Sequence, residues 1–193
     1  MLLFSILLWY NNLNYNMRYY GLLKGGGNMV IFGIDPGYAI VGCGVVRYEK
    51  NNFFLMGYGA VTTDKDMTFN KRLTKIYDDI TELLEKFKPD AVSIERLYFN
   101  TNQKTAIDVA QARGVIVLAV EKAGIPLFEY TPLQVKQSIV GYGRAEKQQV
   151  QEMTRMFLHL DKIPKPDDAA DALALAICHG HASDSLIINS NLR

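Results

Sequence analysis

The sequence predicts a mixed α/β domain, a five-stranded sheet flanked by helices, and three observations carry that prediction. Three runs rich in β-branched and aromatic residues follow one another between Val30 and Thr62, separated by turn residues. Two further strand-like runs come later, at residues 91–95 and 127–130, with a helical pattern between them. Strands that arrive first as a meander and then alternate with helices build a sheet that is antiparallel on one side and parallel on the other.

In chain order, residues 30–35 form a short apolar run closed by Pro36-Gly37, a strand ending in a turn. Residues 39–48 (AIVGCGVVRY) and 53–62 (FFLMGYGAVT) complete an antiparallel meander around the polar stretch at 49–52. Over residues 68–88, Phe69, Leu73, Ile76, Ile80, Leu83, Leu84 and Phe87 recur at helical spacing until Pro89 stops the helix. Residues 91–95 (AVSIE) read as a buried strand, and residues 103–122 as a helix ended by Gly124 and Pro126. Residues 127–130 are the fifth strand, after which Thr131 caps a helix that opens at Pro132. Beyond the Gly141-Tyr142-Gly143 break, residues 145–160 and 168–181 read as the last two helices.

A chain of 193 residues that is 49% apolar supports a single core, and no repeat or linker divides residues 29–193. The 21 Lys plus Arg against 20 Asp plus Glu exclude a protein that coats nucleic acid by bulk charge, but leave room for local patches. The two cysteines, Cys43 and Cys178, cannot form a disulfide framework and read as inert buried thiols; the expected setting is reducing and cytoplasmic. Residues 1–28 stand apart, with no acid, only Arg18 and Lys24 as bases, and the sole tryptophan, Trp9. Their apolar opening is too short to span a bilayer and lacks the features of an export signal. The stretch from Lys24 to Asn28 back-translates to a purine-rich ribosome-binding site, so residues 1–28 read as a misassigned start or a disordered extension, with Met29 the expected first residue. The expected domain is residues 29–182, followed by a flexible tail at 183–193.

The chemistry sits in carboxylates where a fold would not place them for packing. Asp35 ends an apolar strand, and Glu95 ends another; taken alone, the first also reads as an Asx turn and the second as a strand end emerging into solvent. Asp168 and Asp171 share one face of a nearly all-apolar helix, where Asp167 or Asp168 also serves as an N-terminal cap. Asp171 enters a run that should be buried. Together, two acids at strand ends and two on one helical face are a set suited to a pair of Mg²⁺ ions, the arrangement that hydrolyses phosphodiesters.

Five motifs in order carry a resemblance: Phe32-Gly33-Ile34-Asp35-Pro36-Gly37, Ser93-Ile94-Glu95-Arg96-Leu97-Tyr98, Ala110-Gln111-Ala112-Arg113-Gly114-Val115, Gln134-Val135-Lys136-Gln137 with Ala145-Glu146-Lys147, and Asp168-Ala169-Ala170-Asp171-Ala172-Leu173-Ala174. From Met29 to about His181 the chain resembles the RuvC family of bacterial Holliday junction resolvases. The resemblance implies an RNase H-like fold, a homodimer, and a structure-selective endonuclease for four-way DNA junctions in recombination and repair. It also implies two Mg²⁺ per subunit, with Mn²⁺ able to substitute, paired symmetric nicks leaving 5′-phosphate and 3′-hydroxyl, and a branch-migration complex of RuvA and RuvB type as partner. No membrane association is expected.

Position by position, Asp35, Glu95, Asp168 and Asp171 match the family's catalytic, metal-holding acids, and Lys136 and Lys147 its bases near the scissile phosphate. Tyr98 falls where the family stacks an aromatic on junction bases; packing explains it equally. Arg144 is placed on phosphate by its charge and the neighbouring glycines alone. Asp167 and the first 28 residues depart from the family pattern. The face of Ile107, Ala110, Gly114, Val117 and Leu118 is a candidate dimer surface or core, and His179 and His181 read as C-terminal caps. The alternatives are an RNA-processing nuclease of RuvX type, which lacks a counterpart to residues 98–114, and a catalytically inactive junction-binding module. An actin-like or sugar-kinase NTPase needs a much longer chain, and no Walker motif is present.

Overall fold

The computed structural model describes residues 28–97 and 103–190, with side chains described outside 103–105 and 184–190. The extension before Asn28, Tyr98 and the last three residues lie outside the described residues. Strand β1 (Asn28–Asp35) pairs antiparallel with β2 (Ile40–Glu49), which pairs antiparallel with β3 (Asn52–Thr62). Lys50 and Asn51, both at positive φ (47° and 65°), make the tight turn between β2 and β3, a twist suited to a two-residue hairpin loop. On its other side β1 pairs parallel with β4 (Ala91–Glu95), and β4 with β5 (Leu127–Tyr130), giving the order β3-β2-β1-β4-β5. The expected mixed sheet is therefore observed.

Helices cover both faces, because neighbouring residues of β1 point to opposite sides. Phe32 and Ile34 pack with Ile76, Ile80 and Leu84 of α1 (Phe69–Phe87) and Ile116 and Val120 of α2 (Gln103–Lys122). Ile31 turns the other way, into a cluster with Ile139 of α3 (Pro132–Val140), Val150 of α4 (Lys147–Phe157), and Leu173 and Ile177 of α5 (Asp167–Ser190). Helix α1 ends on Lys88 in the left-handed conformation (φ 46°), just before Pro89. Thr131 caps α3 through its hydroxyl, 3.1 Å from the Gln134 N–H, as its sequence predicts.

Helix α5 extends beyond the end expected at residue 181. Residues 183–190, expected as the start of a tail, continue the helix to Ser190. No glycine or proline interrupts the chain after Gly180, and Ser183 is buried, its hydroxyl donating to the Gly180 carbonyl at 2.7 Å. His179 and His181 consequently lie within the helix rather than capping its end.

Helix α5 also lies unusually close to the sheet. A Cβ at Gly33 would stand 1.9 Å from the Ala172 carbonyl oxygen, and one at Gly42 2.0 Å from that of Asp168. Only the missing side chains allow this approach, with Gly33 of β1 facing Ala172 and Ala176 and Gly42 of β2 facing Asp168. It brings the first turns of α5 to the ends of the central strands.

Candidate active site

Asp35 is the last residue of β1 and Glu95 the last of β4. The two strands are parallel neighbours with Ile34 opposite Ile94, so the following residues, the two acids, stand side by side at one edge of the sheet. Their carboxyls are near enough for each to change the other's affinity for a proton. Asp171 arrives on α5, and the three acids line one cleft of about 180 Å³ with Lys136 of α3 and Lys147 of α4. The remaining lining is apolar, from Pro132, Val135, Val150, Ala174 and Leu175.

Burial pushes the Asp35 carboxyl well above the ordinary carboxylate range, and the negative charges of Glu95 and Asp171 push it further. Glu95 and Asp171 are likewise raised, first by burial. The Lys147 ammonium stands 2.8 Å from Asp171 Oδ2 and is itself held up by that contact, but it does not bring Asp171 down to its usual range. The cleft is thus short of positive charge where acids from three separate elements meet.

Asp168 lies in the first turn of α5, half-buried beside β2; its Cβ stands 3.0 Å from where a Cβ on Gly42 would be. Its charge acts on Asp35, yet it is not among the residues lining the cleft. Asp167 turns to Lys165, at 2.6 Å, and is 4.0 Å from Lys147. Lys136 and Lys147 both line the cleft, whereas Arg144 is exposed on the loop between α3 and α4, outside the cleft lining. Tyr98 lies outside the described residues.

Sequence reasoning missed Arg113 and the apolar walls. Arg113 donates through Nε to the Glu95 carbonyl at 3.5 Å and pairs with Glu129, tying α2 to the ends of β4 and β5. Its signal was its place in the Ala110–Val115 motif. Val135 had the same kind of signal, its place in the Gln134–Gln137 motif, whereas Leu175 had none, since its spacing fits an ordinary core position.

The family model for crossover junction endodeoxyribonuclease RuvC matches residues 31–179. The chain belongs to the RuvC family. Among curated RuvC proteins, that of Ruminiclostridium cellulolyticum is 60% identical over 154 residues, covering 80% of this chain and 93% of that protein. That of Clostridioides difficile is 56% identical over 155 residues, covering 80% and 92%. Among solved structures, Thermus thermophilus RuvC in complex with Holliday junction substrate superposes with a TM-score of 0.77 at 36% identity, covering 80% of this chain and 94% of that one. A yeast mitochondrial Holliday junction resolvase shares the fold, with a TM-score of 0.61 at 15% identity. The RNase H-like architecture expected from the RuvC motifs is the one observed.

The cleft suits a hard divalent cation by its donors, oxygen atoms whose mutual repulsion and burial are incompletely offset. It is not a finished cage: among the described residues no three carboxylate, imidazole or thiolate groups are arranged to hold a metal. Lys147 pairs with Asp171 at 2.8 Å. The donor set fits, provided that Lys147 yields and the carboxyls turn.

Proposed function

We propose that this RuvC-family chain is a junction-resolving endonuclease, cutting four-way DNA by phosphodiester hydrolysis in the cleft of Asp35, Glu95 and Asp171. The observation that carries the proposal is the convergence of those three acids at the end of adjoining strands, all held above their ordinary range. The T. thermophilus relative, solved with a Holliday junction, supplies the substrate class.

Asp35, Glu95 and Asp171, with Asp168 beside them, would hold two Mg²⁺. Bound there, Mg²⁺ would supply an activated water and charge stabilisation for the attacking and leaving oxygens of an in-line displacement, giving 5′-phosphate and 3′-hydroxyl ends. Lys136 and Lys147 face the same space and would meet the scissile phosphate, Lys147 exchanging Asp171 for it. Val135, Val150 and Leu175 form a dry wall that keeps the local dielectric low and the charge contacts strong. Arg144 would contact phosphate farther along an arm, and Tyr98 would stack on a base.

A homodimer supplies the second cut. On α2, Ile107 and Leu118 are 63% and 52% exposed, and Gly114 between them faces open space. These residues fall on one stripe, leaving an apolar face that core packing does not use. Among the described residues no helix is long and apolar enough to cross a membrane. A cytoplasmic enzyme working with a RuvA and RuvB type complex is the reading consistent with the family.

The test is a synthetic four-way junction incubated with the full chain and Mg²⁺. Paired nicks in strands of like polarity, with religatable ends, are expected. Binding without nicking would leave an inactive junction-binding module instead.

A further inference from the structure

His179 and Tyr130 have no part in the chemistry above, yet they form a polar contact sealed inside the molecule. His179 is 2% exposed, and its ring leans on Phe128 with centroids 4.3 Å apart. Its Nδ1 is 2.7 Å from the Tyr130 hydroxyl. Burying an imidazole and a phenol is costly unless their polar atoms are paired, and this bond pairs one from each. Two apolar residues would fill the same space without that cost, so the position of the bond matters more than its contribution to packing.

Tyr130 closes β5 directly opposite Glu95 on β4, and its carbonyl accepts the Arg96 N–H at 2.8 Å. The next residue, Thr131, caps α3, the helix that carries Lys136. His179 lies on α5 in a stripe with Leu175 and Asp171, each one helical turn from the next. Leu175 packs with Tyr130 and also lines the cleft. One hydrogen bond therefore spans the seam between the strand half of the site, with Glu95 and Lys136, and the helix half, with Asp168 and Asp171.

We propose that Tyr130 and His179 are positioning residues: their hydrogen bond fixes the separation of Glu95 and Asp171 across that seam, and with it the spacing of the cation-holding oxygens. This rests on the carboxylate cluster being the reaction centre. Burial keeps the imidazole neutral, its pKa down at about 4, and keeps the phenol protonated, pushed up to about 12, so the bond persists through neutral pH.

The experiment compares Tyr130→Phe with Ser138→Ala in the full chain. The second variant deletes the 3.1 Å bond from Ser138 Oγ to His181 Nδ1, which also joins α3 to α5 but touches neither β5 nor Glu95. Four quantities are read: Mn²⁺ affinity without DNA, by electron paramagnetic resonance; junction affinity in EDTA; cleavage rate at saturating junction; and melting temperature. Tyr130→Phe should weaken Mn²⁺ binding and slow saturated cleavage by roughly tenfold or more, as small displacements of reacting groups do, with junction affinity in EDTA unchanged. Ser138→Ala should lower the melting temperature without moving the Mn²⁺ affinity. His179→Asn, whose amide can still pair with the phenol, should recover much of what His179→Leu loses.

Wild-type Mn²⁺ affinity and rate in Tyr130→Phe would overturn the proposal, as would Ser138→Ala matching it in both. Should Tyr130→Phe not fold, equal Mn²⁺ affinities for His179→Asn and His179→Leu would overturn it. Failure of the underlying reading looks different: Asp35→Asn would then still cleave, whatever Tyr130→Phe does.

Discussion

Asp35 pays for its position, and that cost can be measured apart from activity. Its carboxyl is raised by burial first and by Glu95 and Asp171 next, so the folded chain keeps this proton to a higher pH than the unfolded chain does. Where the folded state binds more protons, stability falls as pH rises. In chelator, the wild type should therefore lose stability from the ordinary carboxylate range near pH 4 upward, until Asp35 is fully ionised. Asp35→Asn removes that loss. Its melting temperature should exceed that of the wild type by a margin that grows between about pH 4 and pH 8, and Mg²⁺ should raise the wild type far more than the variant. A constant margin, or none, in thermal melts across that range would contradict the assignment of the burden to Asp35.

Lys147 offers a second test among single residues. Lys147→Ala frees Asp171 of its 2.8 Å partner and leaves the phosphate without that ammonium, so saturated cleavage should drop by about tenfold or more while Mn²⁺ binds no worse. Unchanged cleavage would remove Lys147 from the site. At this scale the sequence was most informative where chemistry opposes packing. Glu95 at the end of AVSIE and Asp171 within an alanine and leucine helix are charges in places that should be buried, and both line the cleft. Val135 and Leu175 line it too, but an apolar residue at a core spacing looks the same whether it faces a cleft or a neighbour. The bond of His179 to Tyr130 is not legible in the sequence, because it joins residues 49 apart in the chain.

Among the elements, the contact of α5 with β1 and β2 decides where the helix-borne acids stand. Gly42→Ala places a methyl against the Asp168 carbonyl, and Gly33→Ala one against Ala172, both backbone atoms that cannot step aside. Each should destabilise by about 3 kcal/mol or more, the upper range for overpacking, measured by denaturant unfolding. Gly42→Ala should also reduce cleavage in the molecules that still fold, because it lifts the turn carrying Asp168. Strand and helix limits were legible within a few residues wherever turn or cap chemistry marks them, as at Pro36-Gly37, Thr131 and Pro89. The end of α5 was not, since Ser, Asp and Asn after His181 are compatible with a tail or with a helix that nothing interrupts. The closeness of α5 to the sheet was also hidden, because it needs small residues on two elements far apart in sequence.

For the whole molecule, the formal charge of +1 conceals a cleft lined by three acids and two lysines. The number alone said little about a DNA partner; the distribution of charge in the folded chain says more. In the proposed homodimer, the exposed Ile107 and Leu118 are where the second copy should dock. Ile107→Glu with Leu118→Glu should give a folded monomer in sedimentation experiments, with a melting temperature that no longer depends on protein concentration. That monomer should nick one strand at a time. A dimer that survives both substitutions would place the interface elsewhere.

In the proposed enzyme the carboxylate cleft cuts while basic and aromatic residues bind. Asp35→Asn, incubated with a synthetic four-way junction and Mg²⁺ beside the wild type, tests it most directly. Junction binding at wild-type affinity with no nicks is the predicted result, since binding rests on phosphate contacts and shape. Nicking at the wild-type rate would contradict it.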